Sequence, residues 1–167
     1  STIHPAAAEM DGDGVDNNCV NDLPVVESIT LSPTAVATNE VVVASVTASD
    51  PDGDAVSLHI SWFVNDILVE SEGESLAGAS LVKGDFVACA IEPDDGELVG
   101  EPVLSPAIQI GNASPVGMTP TISPAQATVL DVLVCDAPPA VDPDGDDCHY
   151  LYTWSVNGIP VGGEKSL

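Results

Sequence analysis

Aspartates in short, glycine-punctuated runs are the residues of this chain best equipped for chemistry. Near the N-terminus, "DGDGVDNNCVND" sets Asp11, Asp13 and Asp16 close together, with Gly12 and Gly14 permitting tight turns and Asp22 ending the run. The pentapeptide "DPDGD" occurs twice, contributing Asp50, Asp52 and Asp54 and then Asp142, Asp144 and Asp146. A third kind of run, "EPDDGE", adds Asp94, Asp95 and Glu97. Calcium is a hard cation that prefers several oxygens, above all clustered carboxylates with backbone carbonyls, so these aspartates are the expected metal ligands and calcium the expected cofactor. The N-terminal run departs from an EF-hand loop, since no Glu stands at its twelfth position. Each run also has a plainer reading. Asp favours turns without any metal, Pro and Gly complete a good turn in "DPDGD", and the N-terminal run could be a solvated acidic linker.

Other chemistries find little support. His4, His59 and His149 share no metal-ligand spacing, and no CxxC pair suggests a structural zinc. Cys148 and His149 are adjacent, which on a strand sends them to opposite faces. Paired carboxylates can hydrolyse glycosides, but here they sit in a turn that recurs along the chain, which points to architecture. No GxSxG, phosphate-binding loop or HExxH is present, and the expectation is a protein that is not an enzyme. The charge balance is extreme: a net −25, with Lys83 and Lys165 as the only basic side chains besides histidine. Such a surface repels nucleic acid and anionic lipid, and it repels itself unless cations or salt intervene. No apolar run is long enough to span a membrane. The opening "STIHPAAAE" carries no basic-then-apolar leader and reads like the middle of a longer polypeptide.

The elements that must position these acids are written twice. Pro24 and Pro115 stand 91 residues apart, as do Ser32-Pro33 and Ser123-Pro124. The two "DPDGD" runs, Trp62 with Trp154, and Asn65 with Asn157 are spaced by 92, so one inserted residue separates the blocks. Within a repeat the period is that of strands. Val42, Ala44, Val46 and Ala48 alternate with their neighbours, as do Ile60, Trp62 and Val64, and again Val87, Cys89 and Ile91. No sustained helical stripe occurs. Seven or so short strands in about 90 residues match the size of an immunoglobulin-like sandwich. The expected fold is therefore all-β: tandem immunoglobulin-like β-sandwiches, the second incomplete. The expected boundaries are an Asp-rich linker over 1–22, a first repeat over 23–111 and the N-terminal part of a second over 112–167. The second copy ends at the counterpart of Leu76. It lacks an equivalent of 77–111 and so cannot cover its own apolar face. Either a longer array or a neighbouring chain would complete it.

An apolar strand, "DPDGD", a strand bearing Trp, "VN" and then "VKGDFVACAIEPDDGE" together resemble bacterial extracellular Ig-like repeats, which are similar to cadherin-like and PKD-like domains. The N-terminal run resembles the aspartate-rich repeats of thrombospondin type 3, with Met10 about where those carry their first cysteine. The resemblance implies several things. Trp62 and Trp154 take the third-strand tryptophan place, packed on a disulfide between the second and sixth strands. Cys89 takes the sixth-strand place and Cys135 the second-strand place, but Ala44 stands where Cys135 aligns. Cys89 would then be a buried thiol or pair with Cys19, and Cys135 would pair with a cysteine outside 1–167. The loops holding Asp50–Asp54 and Asp94–Glu97 would meet at one end of the first repeat, close to Asn21 and Asp22. Calcium would stiffen the joints between repeats.

The functional expectation is a non-catalytic, calcium-rigidified spacer, stalk or filament segment of a long secreted or cell-surface protein. Its partners would be neighbouring repeats of the same or an identical chain, with no nucleic acid and no membrane span. The alternative is an adhesive or carbohydrate-binding module recognising a glycan or surface ligand, although aromatics, the usual sugar platform, are only 4% of residues. A third reading is a halophile's protein whose acids hold water and salt. Asn112-Ala113-Ser114 is a short N-glycan acceptor motif.

Overall fold

The structure, a computed structural model, describes residues 20–69, 73–77 and 81–167. Among these every regular element is a strand, so the chain is all-β. It divides into two compact units, the first ending at Asn112 and the second running from Ala113 to Leu167.

The first unit holds β1 (Val25–Ser32), β2 (Val36–Ala37), β3 (Val42–Ser49), β4 (Ser57–Val64), β5 (Ile67–Val69), β6 (Ser75–Leu76), β7 (Phe86–Asp94), β8 (Val103–Leu104) and β9 (Ile108–Gly111). One sheet has the order β1-β3-β6. The other is six-stranded, β2-β9-β7-β4-β5, with β8 added on β7. All pairings are antiparallel except β2 with β9, whose register sets Val36 opposite Ile110. The two sheets share one core: Leu31, Val42, Ala44 and Leu76 from the first, and Val36, Trp62, Val87, Cys89, Ile91 and Ile110 from the second. The alternation of apolar residues dictates this. In β3, Val42 and Ala44 are buried while Val43 between them is exposed. In β7, Val87, Cys89 and Ile91 are fully buried while Phe86 faces water. Each large aliphatic side chain so buried is worth about 1.5–3 kcal/mol against leaving it wet.

The turn chemistry is equally local. Asn65 (φ 51°) and Asp66 (φ 63°) both take left-handed backbone, as a two-residue type I′ hairpin between β4 and β5 requires. Asn65 also fastens the start of β7. Its Oδ1 accepts from Phe86 N (3.0 Å) and its Nδ2 donates to Asp85 Oδ1 (2.8 Å). Gly100 meets a different constraint, because a Cβ there would run into the carbonyl oxygen of buried Pro24 and the ring of Pro93.

The second unit holds β10 (Thr121–Ser123), β11 (Val134–Asp136), β12 (Trp154–Val156) and β13 (Ile159–Gly162), paired as β10-β11 and β12-β13. Its repeat signature is kept in detail. Asn157 (φ 52°) and Gly158 (φ 80°) turn β12 into β13, and Ser123-Pro124 is cis like Ser32-Pro33. The indole of Trp154 donates to Glu164 O (2.8 Å), as that of Trp62 donates to Gly73 O (3.1 Å). Strand length is not kept. β1, β3 and β4 each run eight residues, whereas β10, β11 and β12 run three. The physical reason is packing: in the first unit β4 lies between β7 and β5, while among the described residues β12 pairs only with β13.

Candidate functional site

Asp50 follows directly on β3, where the buried alternation gives way to "DPDGD". Its Oδ1 accepts the N–H of Asp52 (2.9 Å) and of Asp54 (3.3 Å), and Gly53 supplies the left-handed residue (φ 88°) that the turn needs. Asp52 then reaches out of the loop, and its Oδ2 accepts the N–H of Asp22 (2.6 Å). The loop thus holds the chain just before β1. The second unit repeats this arrangement atom for atom. Asp142 Oδ1 accepts from Asp144 N (2.8 Å) and Asp146 N (3.4 Å), and Asp144 Oδ2 accepts from Ala113 N (2.6 Å).

The loop after β7 belongs to the same end of the first unit. Asp94 Oδ1 accepts from Gly96 N (2.7 Å), while Asp94 Oδ2 lies 3.3 Å from His59 Nε2. Asp95 Oδ1 takes two N–H groups, those of Glu97 and Leu98, each at 2.7 Å. Asp95 Oδ2 accepts from Asn21 Nδ2 (3.2 Å). Donation from the Leu98 N–H, and next from that of Glu97, holds the Asp95 carboxyl below the usual carboxylate range. Asn21 and Asp22 therefore join the two acidic loops, one through its side chain and the other through its backbone.

Asp52 and Asp95 hold the chain segment Asn21–Asp22, with Asp50 and Asp54 in the loop of the one and Asp94 in the loop of the other, and among the described residues these five form no triple as tight as that in the second unit. There, Asp142, Asp144 and Asp146 bring one carboxylate oxygen each within 4.8 Å of one another. The contribution of Asp22 described here is its backbone N–H. Asp11, Asp13, Asp16 and Cys19 lie outside the described residues. Glu40 and Asp85, on other loops, are engaged locally, accepting from Ala37 N (2.8 Å) and Val82 N (2.9 Å).

Asp50 is only 6% exposed, and its Oδ2 is buried with no hydrogen-bond partner among the described residues. A buried carboxylate oxygen left bare costs several times a neutral unpaired acceptor, and a cation at hand removes that cost. The donor set fits a hard cation: carboxylates with spare lone pairs, beside a turn rich in backbone carbonyls.

Two residues outside the expected ligand set matter to this end of the unit. The bridging amide of Asn21 and the close approach at Gly100 both depend on partners distant in the chain, which no local pattern announces. At the opposite end of the unit, Asn65 was legible as a turn residue, but its grip on Asp85 and Phe86 was not.

No protein-family model, curated protein or solved structure matches the chain. The functional reading therefore rests on its own residues.

Proposed function

We propose that this chain is a non-catalytic structural segment of a long secreted or cell-surface protein, built from successive immunoglobulin-like β-sandwich repeats and stiffened by calcium. The observation that carries the reading is the loop after β3, in which an aspartate oxygen is buried bare inside a turn that the second unit builds again. Asp50 and Asp52 would hold the ion in the first repeat, and Asp142, Asp144 and Asp146 in the second, with Asp11, Asp13 and Asp16 as a further acidic set. The bound ion would supply positive charge where a net −25 otherwise repels itself. The chain's own part is to hold its backbone in place. Asp52 and Asp144 each hold the N–H of a segment ahead of their repeat's first strand, Asp22 and Ala113, so fixing the loop fixes that segment with it. This is the work of a spacer, and no step of bond making is assigned to any residue.

Thermal unfolding tests the proposal. A ligand that binds only the folded state stabilises it by about 2.7 kcal/mol at a hundred times its Kd. That corresponds to a rise in Tm on the order of 10 °C for a unit of this size. Millimolar calcium should raise Tm to this degree, and chelation should reverse it. Asp50→Asn keeps an acceptor for the Asp52 and Asp54 N–H groups but removes the charge, and should shrink the calcium response of the first unit without unfolding it. An equal rise from monovalent salt alone would show that the acids serve general screening and would end the calcium assignment.

A further inference from the structure

We infer that the first unit is built to carry tension: a pull applied where its chain enters and leaves is met in shear, by β2 lying parallel to β9. The strand directions decide this. β1 starts at Val25 opposite Ser49, just before the Asp50 loop, and that loop also holds the Asp22 N–H. The chain therefore enters the unit at the pole of the acidic loops. β9 ends at Gly111 near the start of β7, since Phe86 lies opposite Gln109 and Val87 opposite Ile108. β7 reaches the acidic pole only at its other end, where Asp94 lies opposite Ser57. The chain therefore leaves the unit at the far pole.

β2 follows β1 and runs alongside β9, with Val36 opposite Ile110 and Ala37 opposite Gly111. Tension draws the start of β1 toward one pole and the end of β9 toward the other, so β2 and β9 would have to slide lengthwise past each other. Sliding loads every bond of the pair at once, whereas peeling breaks them one at a time. Each backbone bond is worth only about 0.5–1.5 kcal/mol net, so sharing the load is what gives such a pair its resistance. Both strands are anchored against the slide. Val36 (2% exposed) and Ile110 (1%) are set in the core. On the other edge of β9, Gly84 N donates to Ile110 O and Ile110 N donates to Asp85 O, each at 2.8 Å. Gly111 keeps the backbones close, because a Cβ there would stand 3.3 Å from Val36 O. β1 is sheared in the same sense along β3, from Val25 opposite Ser49 to Ser32 opposite Val43. This inference rests on the reading of the chain as a spacer, but the strand directions owe nothing to calcium.

Optical-trap unfolding of the whole chain is the test. Handles on Ser1 and Leu167 load the first unit through its entry and exit, and its opening is recognised by the release of about 300 Å of chain. In a second geometry the handles sit on azidophenylalanine replacing Phe86 and Gln109, exposed partners on β7 and β9, so that the pull peels β9 away. At one fixed load the first geometry should unfold about tenfold more slowly or better, since forced unfolding is governed by the unfolding rate. Val36→Ala and Val87→Ala make the same truncation at buried sites and should lower the urea midpoint alike. Under end-to-end load Val36→Ala should speed unfolding by about tenfold and Val87→Ala by far less, because only the first touches contacts broken at the barrier. Both comparisons should survive chelation, so a missing calcium response would count against the ion assignment alone. Equal unfolding rates in the two geometries overturn the inference, as does equal acceleration by the two variants. If Val36→Ala does not fold, the two geometries of the parent chain decide by themselves. A difference that vanishes on chelation overturns the inference too, since the ion and not the strand pair would then bear the pull.

Discussion

The aspartates do not act as interchangeable charges, because their carboxylate oxygens differ in what they meet. Asp50 Oδ1 caps its own turn while Asp50 Oδ2 is bare, and Asp52 Oδ2 is committed to the Asp22 N–H. Asp95 is the clearest case of a charge tied to the fold, with Leu98 and Glu97 donating to its ionised form. Folding therefore favours the charged Asp95. Its stabilising contribution is complete above the unfolded pKa, about 3.9, and fades as pH falls through the lower folded value. Asp95→Asn should accordingly lower the urea midpoint at pH 7, and the gap to the parent should narrow as pH falls below the ordinary carboxylate range. A gap that stayed constant with pH would show that the side chain's shape, and not its charge, is what the loop uses. Cys89 shows the opposite influence, since burial pushes its thiol upward and the Ser105 hydroxyl offsets only part of that. A neutral, fully buried thiol is inert packing.

Strands that alternate in sequence place their buried sets on facing sheets, and this can be cross-examined chemically. Ala44 on β3 and Cys89 on β7 belong to one core cluster, contributed from different sheets. Cys135 stands in the second unit where Ala44 stands in the first. Ala44→Cys should form a disulfide with Cys89 under mild oxidation, seen as loss of both thiols to alkylation in denaturant. A strain-free bridge of this loop length should add about 2–4 kcal/mol, read as a urea midpoint that falls again on reduction. Two free thiols after oxidation would mean that β3 is not set across from β7 at this register. The alternation of β3, β4 and β7 was readable from period-two patterning, and the hairpin residues Asn157-Gly158 from turn chemistry. The parallel pairing of β2 with β9 was not, because two-residue Val36–Ala37 carries no pattern long enough to read.

Across the whole chain the same sequence signature yields a closed core in one unit and an open face in the other. In the second unit Val129 and Leu151 are 100% exposed, and strands that run eight residues in the first unit shrink to three. Native-state hydrogen exchange should therefore divide at the boundary between Asn112 and Ala113. Amides of β3, β4 and β7 should exchange slowly through global opening, and those of β10 to β13 at least about a hundredfold faster, a difference near 2.7 kcal/mol. Uniform protection across both units would contradict an open second core. That the chain is all-β, that it repeats, and that its acids fall in turns was decided by the sequence alone, because alternation, Gly and Asn at left-handed positions and self-similarity act over a few neighbouring residues. Which carboxylate oxygen is capped and which is buried bare depended on the tertiary structure. Those outcomes rest on contacts between residues such as Asn21 and Asp95 or Trp62 and Cys89, whose meeting no local pattern encodes.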